Sequence, residues 1–228
     1  QQSVAEILDT LRTQGYNVLA PQTLSVAPHY RLRFDFLQVD PNPTGGEVFK
    51  VGGQYVDNPT TQKRDKWVDY FCLGKTPLER IARSVNILWD AACTGVVFRD
   101  STTLEFRAVG VYRLPTGDVA RITGTKEIDL LAIEEEVRIE QTMKVLSGKW
   151  EPKKGEEMLY KDRPPEEIIN SLVRREMAMW RKNRLMRAET GAKERAIRSG
   201  LALKSRYTRE ELLRPFVVPV VEYNPQFD

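Results

Sequence analysis

Thr103-Leu-Glu-Phe-Arg-Ala-Val-Gly-Val-Tyr-Arg-Leu114, then Pro115-Thr-Gly117, then Asp118-Val-Ala-Arg-Ile-Thr-Gly-Thr-Lys126 is the stretch whose reading decides the fold. Leu104, Phe106, Ala108, Gly110 and Tyr112 recur at every second position, the period of a strand with one buried face. Pro115-Thr-Gly117 is a turn, so the two flanking strands should run antiparallel. With Gly95 to Arg99 in front, the three segments predict an antiparallel β-meander.

Working outward, the segment from Thr76 predicts a helix: Thr76 as N-cap, Pro77 at the first helical position, and Leu78, Ile81, Ala82 and Val85 on one face. Upstream, Tyr30 to Val39 alternates apolar with polar residues, Asp40-Pro-Asn-Pro-Thr-Gly-Gly46 breaks the pattern, and Glu47 to Val51 resumes it. These predict a β-hairpin with a long tip, followed by a loop from Gly52 to Lys66. Ser3 to Gly15 predicts a short amphipathic helix with Ser3 as N-cap, Glu6 three residues on and Gly15 as terminator. Downstream, Ile128 to Val145 is Glu-rich and helical, and Ser147 to Pro165 is a polar linker. Glu166 to Ser199 is a long helical pattern with a break expected near Gly191. A last helix at Thr208 to Leu213, capped by Thr208 and Glu211, precedes an extended apolar tail, Phe216 to Val221, that would dock on a neighbouring subunit or on its own sheet.

No regular alternation of strand and helix demands a parallel sheet, so the fold class is α+β: an antiparallel β-meander and hairpin packed with helices, with a helical, basic C-terminal region. The expected division is an α+β core at 1–150, a linker at 151–165, and a basic helical region with an extended tail at 166–228.

The net charge of +3 hides an asymmetry. Between Ser171 and Arg214 there are 13 Lys plus Arg against 5 Glu, a net of +8, which leaves the rest of the chain at −5. Such a block points to a polyanionic partner. Within it Arg174, Arg181, Arg184, Arg187, Arg195 and Arg198 recur at gaps of 3, 7 or 8, with Lys182 and Lys193 between them. Ile169, Leu172, Val173, Met177 and Trp180 supply an apolar stripe, so one helix face would pack and another stay cationic. Arginine donates to phosphate oxygens bidentately and stacks on unpaired bases. The bland alternative is a solvated helix face. A second group, Lys63, Arg64 and Lys66 beside Trp67, has the basic and aromatic mixture of single-strand platforms. Core filling by Trp67, Tyr70 and Phe71 is its alternative. Arg80 and Arg83 share a helix face and would either pair with acids or line the same groove.

Nothing in the sequence resembles an active site. His29 is the one histidine, and there is no GxxxxGK[ST] phosphate loop and no GxSxG elbow. Glu134, Glu135 and Glu136 are consecutive on a helix and cannot converge on one ion. No catalytic residue, metal or cofactor is expected. A metal-dependent nuclease would have only Asp65, Asp69 and Glu79 to work with. Cys72 and Cys93 stand apart without a CxxC, and no apolar run nears the roughly 18 residues of a membrane span. The chain opens on Gln1 without the charged-then-apolar pattern of a secretory signal, so a cytoplasmic protein is expected.

The order Gly74-Lys-Thr-Pro-Leu-Glu-Arg-Ile-Ala82, Phe106-Arg-Ala-Val-Gly110, Ile122-Thr-Gly-Thr-Lys-Glu127 and Lys204-Ser-Arg-Tyr-Thr-Arg-Glu-Glu211 resembles the phage single-strand annealing recombinases of the RecT and Red-beta type. The likeness spans about Val48 to Leu213. It implies an ATP- and metal-independent protein of the bacterial host cytoplasm that assembles on single-stranded DNA as rings or filaments and pairs complementary strands in homologous recombination. It implies a homo-oligomer, with an exonuclease or a single-strand-binding protein as further partner. Counting back from Tyr207, Arg198 falls where that family places a DNA-contacting arginine, and Arg181, Lys182, Arg184 and Arg187 lie in the matching basic stretch. The departures are the Glu- and Pro-rich stretch from Ile133 to Pro165 and the tail after Pro215. The alternative is a structural or assembly nucleic-acid-binding protein without annealing activity.

Overall fold

The structure, a computed structural model, describes residues 3–19, 26–114 and 116–227. Along the chain run α1 (Val4–Thr13), β1 (Asn17–Val18), β2 (Tyr30–Leu37), β3 (Val48–Val56), β4 (Lys66–Leu73), α2 (Lys75–Ser84), β5 (Leu88–Trp89), β6 (Gly95–Arg99), β7 (Thr103–Arg113) and β8 (Val119–Asp129). There follow α3 (Leu130–Leu146), α4 (Glu157–Tyr160), α5 (Pro165–Gly200), β9 (Tyr207–Thr208), α6 (Arg209–Leu212) and β10 (Phe216–Tyr223). The fold is α+β. Three sheets have the strand orders β1-β10-β2, β3-β4-β9 and β5-β7-β6, with β8 also on β7.

Several local signals act as the sequence reads. Ser3 and Glu6 close a capping box on α1, and Thr208 and Glu211 close another on α6. Asp129, which falls inside the helix expected from Ile128, is instead the N-cap of α3, accepting from the N–H groups of Leu131 and Ala132. Across the turn into β8, Leu114 and Asp118 are hydrogen-bonded and Gly117 sits at φ 92°. Pro115 of that turn lies outside the described residues.

Four local expectations need correction. The expected hairpin of Tyr30–Val39 with Glu47–Val51 is not formed: β2 pairs antiparallel with β10, from Phe216↔Leu37 to Tyr223↔Tyr30, while β3 pairs with β4. The expected loop from Gly52 is strand as far as Val56, because a bulge between Lys50 and Gly52, with Gly52 at φ 143°, carries β3 onward. The N-cap of α2 is Gly74, not Thr76, so Pro77 lies in the first turn, where its missing N–H has no helical partner to lose. Helix α5 runs 36 residues through Gly191 without a break. The tail lies on its own sheet: β10 is the middle strand, with Phe216, Val217 and Val218 fully buried. Its run of apolar residues reflects burial on both faces. Pro219 lies past the two residues that β1 pairs, where a missing N–H costs no ladder bond to that strand.

The chain divides into two compact units, each discontinuous in sequence, whereas the sequence reading cuts it once, at 151–165. The first comprises residues 1–94, 107–125 and 192–228. Its core gathers Val39, Val48, Phe71, Leu73, Leu78, Ile81, Ile197, Tyr207, Leu212, Phe216 and Val218. Within it β8 meets the end of α5 at close range: a Cβ on Gly124 would run into Ala192 O and the Ala196 backbone. The second unit comprises 95–106 and 126–191. It buries Leu104, Ile128, Leu130, Val137, Val173 and Met177, and it ties α3 to α5 through Arg138 to Asn170 at 2.8 Å and Gln141 to Glu176 at 3.1 Å.

Candidate nucleic-acid interface

In the first unit the β3–β4 hairpin carries the basic and aromatic group that the sequence singles out. Tyr55 and Trp67 stand opposite each other in the register, ring centroids 4.9 Å apart and 74° between planes. They are 55% and 52% exposed, so Trp67 is not core filling; Phe71, four residues further along the strand, is. Gly53 leaves the space that the indole occupies, since a Cβ there would strike the ring. The indole Nε1 donates to Asp69 at 2.7 Å, and Lys50 pairs with the same carboxylate at 2.9 Å. Those bonds, the one from Lys50 first, hold the Asp69 carboxyl below its usual range. The ring is therefore fixed in orientation while its face stays open.

At the hairpin tip Arg64 donates to the carbonyl of Tyr55 at 2.9 Å, pinning the connection. The side chains of Lys63 and Lys66 are exposed and have no hydrogen-bond or ion-pair partner among the described residues. On the other face of β4, the Arg206 guanidinium lies 4.4 Å from the centre of the Tyr70 ring. The sequence reading singles out neither Tyr55 nor Arg206. Tyr55 becomes visible only once β3 is carried through the bulge, and the partner of Arg206 depends on the distant pairing of β4 with β9, Tyr70↔Thr208 and Phe71↔Tyr207.

The basic residues of α5 have different fates. In the second unit Arg184 donates to the carbonyls of Asp100 and Ser101 at 3.1 and 3.2 Å, clasping the β6–β7 turn. Backbone hydrogen bonds, that from Thr103 first, keep the Asp100 carboxyl low and the turn closed. Arg187 stacks 3.8 Å from the Trp180 ring centre, two helical turns back. Arg181 reaches Glu134 at 3.7 Å, whereas the Arg174 and Lys182 side chains have no partner among the described residues. In the first unit Lys193 approaches Trp89 at 5.7 Å and Arg195 donates to the carbonyl of Thr125 at 2.9 Å. Arg198 bonds to the carbonyl of Leu73 at 2.6 Å and pairs with Glu194 at 3.6 Å. Burial raises the Glu194 carboxyl against the opposing pull of Arg198. Arg80 is held by Glu47 at 2.7 Å.

The basic side chains of these groups that have no partner among the described residues are Lys63 and Lys66 in the first unit and Arg174 and Lys182 in the second. Of the three acids a nuclease would have to use, Asp69 is held by Lys50 and Trp67, Asp65 accepts from Thr61, and Glu79 pairs with Lys75. Among the described residues no group of three or more His, Cys, Asp or Glu side chains could hold a metal ion. No described helix is long and apolar enough to cross a membrane. Compared with protein families, curated proteins and solved structures, the chain matches none.

Proposed function

We propose that the chain is an ATP-independent single-stranded DNA-binding protein that anneals complementary strands for homologous recombination. The observation that carries this reading is the Tyr55–Trp67 pair, half exposed, held in place by Asp69 and flanked by Lys63 and Lys66, whose side chains have no partner among the described residues. Aromatic faces beside lysines suit a strand whose bases are unpaired, because every base has a stacking face and every nucleotide a phosphate. Duplex DNA offers no free base faces to such a pair.

Annealing requires no bond to be made or broken in either strand. It requires phosphate repulsion to be neutralised while base edges stay open, which backbone contacts from Lys63 and Lys66 would provide. The ligands are single-stranded DNA and the annealed duplex, and an exonuclease or single-strand-binding protein would act as loading partner.

Assembly as rings or filaments needs a surface that a second copy can cover. β6 is a terminal strand of its sheet, with Val96, Val97 and Phe98 45–50% exposed. Consecutive apolar residues on an edge strand favour pairing with another chain.

The reading is tested by fluorescence anisotropy of a labelled single strand across a salt series. Each phosphate contact contributes a slope of about −0.7 in log affinity against log salt for single strands. Lys63→Ala with Lys66→Ala should flatten the slope by roughly 1.4. An unchanged slope would remove the hairpin from the interface.

A further inference from the structure

Apart from the hairpin, the second unit has a pocket of about 200 Å³ with an unusual charge balance. Glu134 and Arg138 face it from successive turns of α3, and Asn170, Arg174 and Arg181 face it from one stripe of α5. Its floor is apolar: Val173 is 2% and Met177 1% exposed. Three guanidinium groups meet one carboxylate, and that carboxylate is shared at long range, 3.8 Å from Arg138 and 3.7 Å from Arg181. Arg138 also donates to Asn170 Oδ1 at 2.8 Å, which fixes its plane. Arg174 has no partner among the described residues.

Each guanidinium carries five donors in a planar fork, so the pocket is rich in N–H groups and poor in acceptors. Three positive charges and one negative leave +2. A phosphomonoester carries close to −2 at neutral pH and presents three acceptor oxygens, whereas a phosphodiester within a strand carries −1.

We propose that this pocket is a binding site for a phosphomonoester dianion, with Arg174 as the group that closes on it and Arg138 and Arg181 on either side. Glu134, 3.8 Å from Arg138 and 3.7 Å from Arg181, offsets the mutual repulsion of the two flanking guanidinium groups. The identity of the source rests on the nucleic-acid reading: a strand offers such a group only at a phosphorylated end, so the site would recognise strand termini, while the hairpin holds the strand's length.

The test uses the full chain and two otherwise identical labelled single strands, one with a 5′-phosphate and one with a 5′-hydroxyl. The ratio of their affinities should be on the order of tenfold in favour of the phosphate, the effect of one or two charge-assisted hydrogen bonds. The ratio should fall to about one in Arg174→Ala, a side chain with no partner to lose among the described residues, and in Arg181→Ala. A parallel arm follows the melting temperature with inorganic phosphate against chloride at matched ionic strength. A stabilisation by phosphate that Arg174→Ala abolishes, without any preference between the strands, supports the site and moves its source to a free phosphate ester. A ratio of one together with no phosphate-specific stabilisation overturns the site, even if both strands bind well. If neither strand binds yet phosphate stabilises the protein through Arg174, the nucleic-acid reading fails and the site stands.

Discussion

Arg198, on α5, donates from Nη2 to the carbonyl oxygen of Leu73 at the end of β4, at 2.6 Å. The same guanidinium pairs with Glu194 at 3.6 Å, and its side chain is only 25% exposed. A position that the recombinase likeness gives to DNA contact here fastens a helix to a strand. Arg198→Ala should cost about 1–3 kcal/mol of stability by leaving a carbonyl and a carboxylate without their donor. Thermal melting checks this, at roughly 2–4 °C per kcal/mol for a chain of this size. An unchanged melting temperature with weakened DNA binding would return Arg198 to the interface.

Trp67→Ala should act in the opposite way. Its ring is 52% exposed, so little core is lost, whereas base stacking on an aromatic contributes about 1–3 kcal/mol per base. Single-strand affinity should fall roughly 5- to 150-fold while the melting temperature moves little. Trp67→Phe, which keeps a face without the Asp69 bond, should lie between. A large loss of stability in Trp67→Ala would make the indole structural.

Gly124→Ala should destabilise the first unit. The added methyl would meet Ala192 O and the Ala196 backbone, both main-chain atoms that cannot rotate away. Overpacking of this kind costs about 1–3 kcal/mol. Denaturant unfolding should show a lower midpoint with an unchanged slope. No change in the midpoint would mean that helix and strand separate freely there.

Tyr207 gives the chain a specific alkaline limit. The side chain is 2% exposed, and burial pushes its hydroxyl from 10.0 up to about 12. Between those values the unfolded chain releases the phenolic proton and the folded chain keeps it, so the unfolded state binds fewer protons and stability falls as pH rises. The full effect, about 3 kcal/mol, is reached only as pH rises through the folded value. Tyr207→Phe, compared with the parent from pH 10 to 12, should flatten the decline; parallel declines would show that the phenol is not the cause.

The elements themselves were legible in the sequence wherever the signal was local. Capping boxes at Ser3 and Thr208, the alternation in β7 and the apolar stripe of α5 act within one turn or one strand, so the residues that specify them are neighbours. Strand partners were legible only where a short turn joins them, as from β6 through β7 to β8, and not where they are distant. The alternation of Tyr30 to Leu37 says that one face is buried but not against what, and its partner β10 lies 191 residues away at the Arg31–Glu222 ion pair. The same reason governs the site. The count of arginines on α5 records positive charge, but whether Arg184 or Arg198 is engaged depends on carbonyls at Ser101 and Leu73, brought near only by the fold. The hairpin lysines could be read directly, because exposed charges at a loop have no distant partner to find.

The measurement closest to the central claim is annealing of two complementary fluorescent oligonucleotides by the purified chain, without ATP and in EDTA, across a salt series. Rapid pairing that slows steeply as salt rises is the expected result, because phosphate contacts are screened and released by counterions. Tight single-strand binding with no acceleration of pairing would leave a structural nucleic-acid-binding protein, and absence of binding at low salt would contradict the functional reading altogether.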